Sequence, residues 1–226
     1  MTAHPTTPSP RAVLFDVDGT LVDSSFVHTT AWWQALRQHG HLVPMARIHR
    51  AIGLGADHMV GHLLGEHDTD EDAAIIASHG ALVAAWHERL VPLPGARDLV
   101  RRCHDAGLVV VLSTSAGAQD VAALRAVLDV DPLVDVVTSS ADAERSKPDP
   151  GILEAAVDRT GVPAEESLFV GDAVWDVEAA GRVGMPCLGL ECGGTSAAEL
   201  REAGAVATWA DPQDLLEHWD DSPLAG

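Results

Sequence analysis

Asp16-Val17-Asp18-Gly19-Thr20 closes a short apolar run at residues 12–15. Two carboxylates two residues apart on an extended chain point to the same side. Holding them together is costly unless a cation or a proton separates their charges. A hard divalent ion such as magnesium, ligated by carboxylate oxygens and water, is the natural solution. Gly19 allows a tight turn out of the strand. A capped turn with solvated acids would use the same residues, so the pentapeptide alone leaves both readings open.

Three further features share the first one's placement. Ser113-Thr114-Ser115 follows the run 108–112, where hydroxyls and free backbone N–H groups can hold phosphate oxygens; Ser and Thr at strand ends also make ordinary turns. Lys147, in Ser146-Lys147-Pro148-Asp149-Pro150, can offer a point charge to a phosphoryl group, or be a plain loop lysine. Gly171-Asp172-Ala173-Val174-Trp175-Asp176 follows the run 168–170. Asp172 can complete a carboxylate cluster with Asp16 or cap a helix. Asp176, one helical turn on, can brace the loop or a metal's waters. Order decides between the readings: each feature follows its own β-rich run. Accidental turns would not be expected to bring nucleophile, hydroxyl, lysine and metal ligand to one sheet edge.

The elements that must position these residues are legible as an alternation. Apolar runs at 12–15, 108–112, 134–137, 168–170, 187–190 and 205–208 suit strands buried on both faces of a parallel sheet. Helical patterns at 96–106, 119–128, 151–160, 177–184 and 197–203 fall between them. Ser196 with Glu199 predicts a capping box, and Asp149-Pro150 and Asp211-Pro212 each place a cap residue before a helix-opening proline. This alternation predicts an α/β fold, a Rossmann-like doubly wound parallel sheet, with ligands at the strands' carboxyl ends. Residues 25–90 break the rhythm. They show helical periodicity without a strand: Phe26, Thr30, Trp33 and Leu36 form one stripe, and 75–86 gives a second amphipathic stretch. Strand patterning resumes after the hinge-like Pro92-Leu93-Pro94-Gly95. The expected organisation is an α/β core of 11–24 plus 91–226, a helical insert over 25–90, and a disordered tail over 1–10.

Composition narrows the partners. The 34 acidic residues against 14 basic ones give a formal charge of −20, which argues against nucleic acid or an anionic membrane. A small phosphorylated metabolite remains compatible, because a bound metal supplies local positive charge. Three cysteines without metal-ligand spacing fit a reduced, cytoplasmic setting. No apolar stretch approaches a membrane span. Oligomeric state, monomer or homodimer, is left open.

With these residues in place, the chain resembles the haloacid dehalogenase superfamily of hydrolases. Val13-Leu14-Phe15-Asp16-Val17-Asp18-Gly19-Thr20-Leu21 resembles its first motif, Leu112-Ser113 its second, Ser146-Lys147-Pro148 its third, and Gly171-Asp172 through Asp176 its fourth. The resemblance implies sheet order 3-2-1-4-5 and an α-helical cap between the first and second motifs. It implies that Asp16 attacks phosphorus, that Asp18 protonates the leaving oxygen and later activates water, and that Ser113, Thr114 and Lys147 hold phosphoryl oxygens. Magnesium would be held by Asp16, the backbone carbonyl of Asp18, and Asp172, with Asp176 in support. An acid at position 18 favours phosphate over halide chemistry. The expected reaction is hydrolysis of a small phosphate monoester. A phosphosugar mutase is the alternative, since His28 and Trp32 resemble positions of β-phosphoglucomutase-like members. However, Gly53-Leu54-Gly55-Ala56 lacks the arginine that such mutases carry there. A catalytically silent binding protein is the remaining possibility. Trp175 is bulkier than is usual in that motif.

Overall fold

A computed structural model of the chain describes residues 10–65 and 69–226. Its elements follow in the order β1 (Ala12–Phe15), α1 (Ser25–Gln38), α2 (Met45–His49), α3 (Ala56–Leu64), α4 (Thr69–Ala84), α5 (Ala96–Asp105), β2 (Val109–Ser113), α6 (Ala118–Leu128) and β3 (Val136–Thr138), then α7 (Gly151–Thr160), β4 (Ser167–Gly171), α8 (Val174–Arg182), β5 (Cys187–Leu190), α9 (Ala197–Ala203), β6 (Ala207–Trp209) and α10 (Pro212–Glu217). The expectation for the tail falls outside the described residues, apart from Pro10.

Six parallel strands form one sheet in the order β3-β2-β1-β4-β5-β6. The run at 205–208 supplies the sixth strand, which extends the expected five-strand order at one edge. The unbroken apolar runs have the reason anticipated for them, because successive residues face opposite layers. Val13 and Phe15 join Val110, Leu112, Leu99 and Leu215 in one buried layer. Ala12 and Leu14 join Val111, Phe169, Leu153 and Val177 in the other.

Local signals fix several helix starts. Ser196 and Glu199 form the capping box that opens α9, and Asp211 accepts the Asp214 N–H at the start of α10. Two starts differ from expectation. Pro150, without a side-chain cap, precedes α7, and the Asp149 carboxylate instead faces His58 Nε2 at 3.0 Å and Arg182 at 3.4 Å. Helix α8 begins three residues earlier than its periodicity indicated. Asp176 in its first turn accepts the Ala173 N–H at 3.0 Å. Asp172 is therefore not the cap.

Helices α1 to α4 pack around a separate apolar cluster built on Trp32, Leu36, Ile48, Met59, Leu63 and Ile75. The expected stripe on α1 needs correction. Phe26 is 62 % exposed, and the buried face runs through Ser25, Thr29, Trp32 and Leu36. The hydrophobicity of Phe26 misled the pattern, because the face turned inward carries two hydroxyl residues. The two passages between sheet and helices lie side by side. Asp23 N–H donates to Val91 O at 3.0 Å, Leu93 N–H donates to Leu21 O at 2.9 Å, and Val22 bridges Pro92 in antiparallel sense.

Candidate active site

Strand β1 is paired so that Phe15 lies level with Leu112 on one side and Val170 on the other. The next residue on each strand, Asp16, Ser113 and Gly171, therefore reaches the carboxyl edge of the sheet together. Gly19, at φ +82°, turns the chain back, and its N–H donates to Val22 O at 2.9 Å. That turn bridges Asp18 to Val22 rather than continuing the strand.

Asp16, Asp172 and Asp176 are 3 %, 3 % and 0 % exposed. They offer carboxylate oxygens all within 4.8 Å of one another. Lys147, itself buried, donates to Asp16 Oδ1 at 2.5 Å and Asp176 Oδ1 at 2.7 Å. Thr20 Oγ1 donates to Asp172 Oδ1 at 2.8 Å. One ammonium thus faces three carboxylates. Burial, offset only in part by Lys147 and reinforced by Asp176, pushes the Asp16 carboxyl from 3.8 up to about 7. Burial, then repulsion from Asp176 and Asp16, raises Asp172 well above the usual carboxylate range. Burial disfavours the Lys147 charge, but Asp16 and Asp176 outweigh it and raise its pKa. A compact set of hard oxygen donors with excess negative charge fits a small divalent cation. Gly193 lets the cluster close: a Cβ there would lie 1.6 Å from Asp172 Oδ2.

Asp18 stands apart from that cluster. Its Oδ1 accepts from Ser24 Oγ at 2.6 Å and lies 3.1 Å from His28 Nε2. Burial works to raise its pKa. The His28 charge and the hydrogen bonds from His28 and Ser24 prevail and hold it below 3.8. Burial likewise works against a charged His28, but the Asp18 carboxylate raises its pKa. His28 Nδ1 lies 3.2 Å from His79 Nε2, and His79 stacks on Trp32 at 4.0 Å between centroids. Burial, then the nearby His28, lowers the His79 pKa well below 6.5.

The expected residues therefore fall into three groups. Asp16 and Lys147 line a cleft and meet Asp172 and Asp176 just outside its lining, while Asp18, His28 and Trp32 line the cleft beside helix α1. Thr114 lines the cleft, but Ser113 does not; its hydroxyl pairs with Thr138 Oγ1 at 2.9 Å beneath the surface. Ser115, also lining the cleft, has a buried Oγ with no partner. The cleft has a volume of about 490 Å³, and its walls come both from the sheet edge and from α1, α3 and α4.

Two contributors escaped the sequence reading. His79 is one, and its signal was present: it shares a helical face with Ile75 and Val83, both buried. Gly193 is another, and no pattern marked it. The sequence marks Trp175 by its bulk in the fourth motif. It leaves Asp172 and Asp176 in place and turns toward the helices, packing against their apolar cluster and meeting His62 edge-on at 5.3 Å.

The chain is similar to known proteins over most of its length. The profile of haloacid dehalogenase-like hydrolases matches residues 10–184. A phosphoglycolate phosphatase from Rhodospirillum rubrum is 34 % identical over 231 residues, covering 96 % of this chain and 93 % of that protein. The crystal structure of a hydrolase from Pseudomonas syringae superposes with a TM-score of 0.89 at 33 % identity, covering 93 % of this chain and 98 % of that one. A β-phosphoglucomutase from Clostridium difficile shares the fold at 15 % identity, with a TM-score of 0.81 over 96 % of this chain and 97 % of that one.

Proposed function

We propose that this chain, which belongs to the haloacid dehalogenase-like hydrolase family, hydrolyses a small organic phosphate monoester through an aspartyl-phosphate formed on Asp16. The observation that carries this reading is the buried Asp16–Asp172–Asp176 cluster with Lys147 beside the cleft.

Magnesium would be held by Asp16, the backbone carbonyl of Asp18, and Asp172, with Asp176 in support. When bound, it supplies the positive charge that lets an anionic nucleophile approach an anionic ester. Lys147 holds Oδ1 of Asp16 and so fixes the plane of the carboxylate. A carboxylate oxygen of Asp16 bonds to phosphorus as the bond from phosphorus to the ester oxygen breaks. Asp18, oriented by Ser24 and ionised in the resting site, relays to the departing oxygen the proton carried by His28 Nε2. It then takes a proton from water as that water bonds to phosphorus. The aspartyl oxygen leaves, phosphate is released, and Asp16 is restored. Lys147 and Thr114 meet phosphoryl oxygens, while Ser113 stays beneath the surface beside Thr138. Helices α1 to α4 serve as a cap over the cleft, moving on the paired passages at residues 21–24 and 91–93, and their closure excludes water.

The test is phosphate release from a panel of monoesters, with and without magnesium, by wild type and Asp16→Asn. Magnesium-dependent turnover lost in the variant supports the reading; turnover surviving the variant overturns it. One observation favours a mutase instead, namely the cap histidine on Asp18. That alternative requires priming by a sugar bisphosphate and isomerisation outpacing phosphate release. Phosphate without isomerised product removes it.

A further inference from the structure

The part of the cleft beyond the phosphoryl-binding floor is built against a second negative charge. Lys147 is the only lysine among the described residues that line the cleft, and no arginine joins it. Its ammonium is 1 % exposed and already shared between Asp16 and Asp176, so it cannot reach the far end of a substrate. His28 is matched by Asp18, and burial disfavours charge on His79. The rest of the lining presents carboxylates instead. They belong to Asp57 and Glu144, both exposed, and to Asp120. Only part of their charge is answered within the protein: Asp120 faces His87 at 2.8 Å, and Asp57 accepts the Ser146 N–H at 3.1 Å and lies 3.5 Å from His58 Nε2. Between floor and rim the wall is apolar, formed by Leu54, Met59 and Ile76.

We infer, on the basis of the phosphatase reading above, that the substrate is the monoester of an alcohol carrying no anionic group. Its body has apolar surface for the wall, and a positively charged substituent is accepted at the rim. A carboxylate or second phosphate would be desolvated in the cleft without a cation to receive it and would face like charges. Phosphoglycolate, the ester in the relative's name, carries such a carboxylate. This cleft discriminates against it.

The test uses pairs of esters that differ in the charge of the alcohol part, with the magnesium-loaded protein: phosphoethanolamine against phosphoglycolate, and phenyl phosphate against 4-carboxyphenyl phosphate. In each pair the ester without a carboxylate is expected to show a kcat/KM higher by about tenfold or more, the range given by removing one unpaired buried charge. Glu144→Lys should then shift the phosphoglycolate to phosphoethanolamine ratio at least about fivefold toward phosphoglycolate. Phosphoglycolate turned over within about threefold of phosphoethanolamine, or a ratio unmoved by Glu144→Lys, overturns the inference while leaving the phosphatase reading intact. Failure of every ester to turn over, or turnover that survives Asp16→Asn, overturns the phosphatase reading and this inference with it.

Discussion

Replacing Asp16, the proposed nucleophile, by Asn should stabilise the metal-free protein while abolishing turnover. Asp16 sits with Asp172 and Asp176 around a single ammonium, and burial lifts its pKa from 3.8 to about 7 in the fold. At 1.36 kcal/mol per tenfold, keeping that carboxylate ionised at pH 8 costs the metal-free fold about 4 kcal/mol. The folded value lies above the unfolded one, so the penalty is complete above about pH 7 and fades as pH falls toward 3.8. At pH 5 it should be about 2 kcal/mol. Asn keeps the shape and leaves an oxygen for Lys147, whose remaining counter-charge is Asp176. The assay is urea unfolding followed by circular dichroism, in EDTA at pH 8 and pH 5, and with saturating magnesium at pH 8. We expect Asp16→Asn to exceed wild type by about 2–4 kcal/mol in EDTA at pH 8 and by less at pH 5. Magnesium should narrow or reverse the difference, because only wild type offers the full ligand set. A variant no more stable than wild type in EDTA at pH 8 would refute the argument from clustered charge.

The opposite change follows from the same cluster. Lys147→Met leaves three buried carboxylates without their cation and should lower stability by about 3–5 kcal/mol, read by the same urea titration at pH 8. Gly193→Ala drives a methyl into Asp172, and magnesium affinity, measured by titration calorimetry, should fall roughly tenfold or more. Trp175→Ala removes packing between the fourth motif and the helices and should cost about 2 kcal/mol, less than for a fully buried tryptophan. Trp175→Phe should recover most of that loss, because the indole Nε1 has no partner to lose. His28→Ala should lower kcat roughly 10- to 100-fold with little change in KM if the histidine orients Asp18 for proton transfer. Unchanged turnover would remove His28 from the site.

Much of this architecture was legible in sequence because its causes are local or periodic. The runs at 12–15 and 168–170 had to lie inside a sheet, since no polar alternation offers either face to water. The order of strand, acid and helix then sent Asp16 and Asp172 to one edge. The acids, Lys147 and the helical insert could be marked from spacing and resemblance alone. What spacing could not supply is rotation and distance between separate elements. The buried face of α1 passes through Thr29 and Trp32 rather than Phe26 and Trp33, a choice made by what the helix packs against. Ser113 and Thr114 are neighbours in sequence, yet only Thr114 opens into the cleft, because Thr138 on the next strand takes the Ser113 hydroxyl. His79 meets His28 across 51 positions of chain, and Gly193 meets Asp172 because only a residue without a side chain fits there. The sequence by itself determined which chemical groups the protein has and which edge of the sheet receives them. Tertiary packing alone decided which groups touch, how their pKa values separate, and what charge lines the rest of the cleft, because desolvation and Coulomb forces depend on distances through space rather than along the chain.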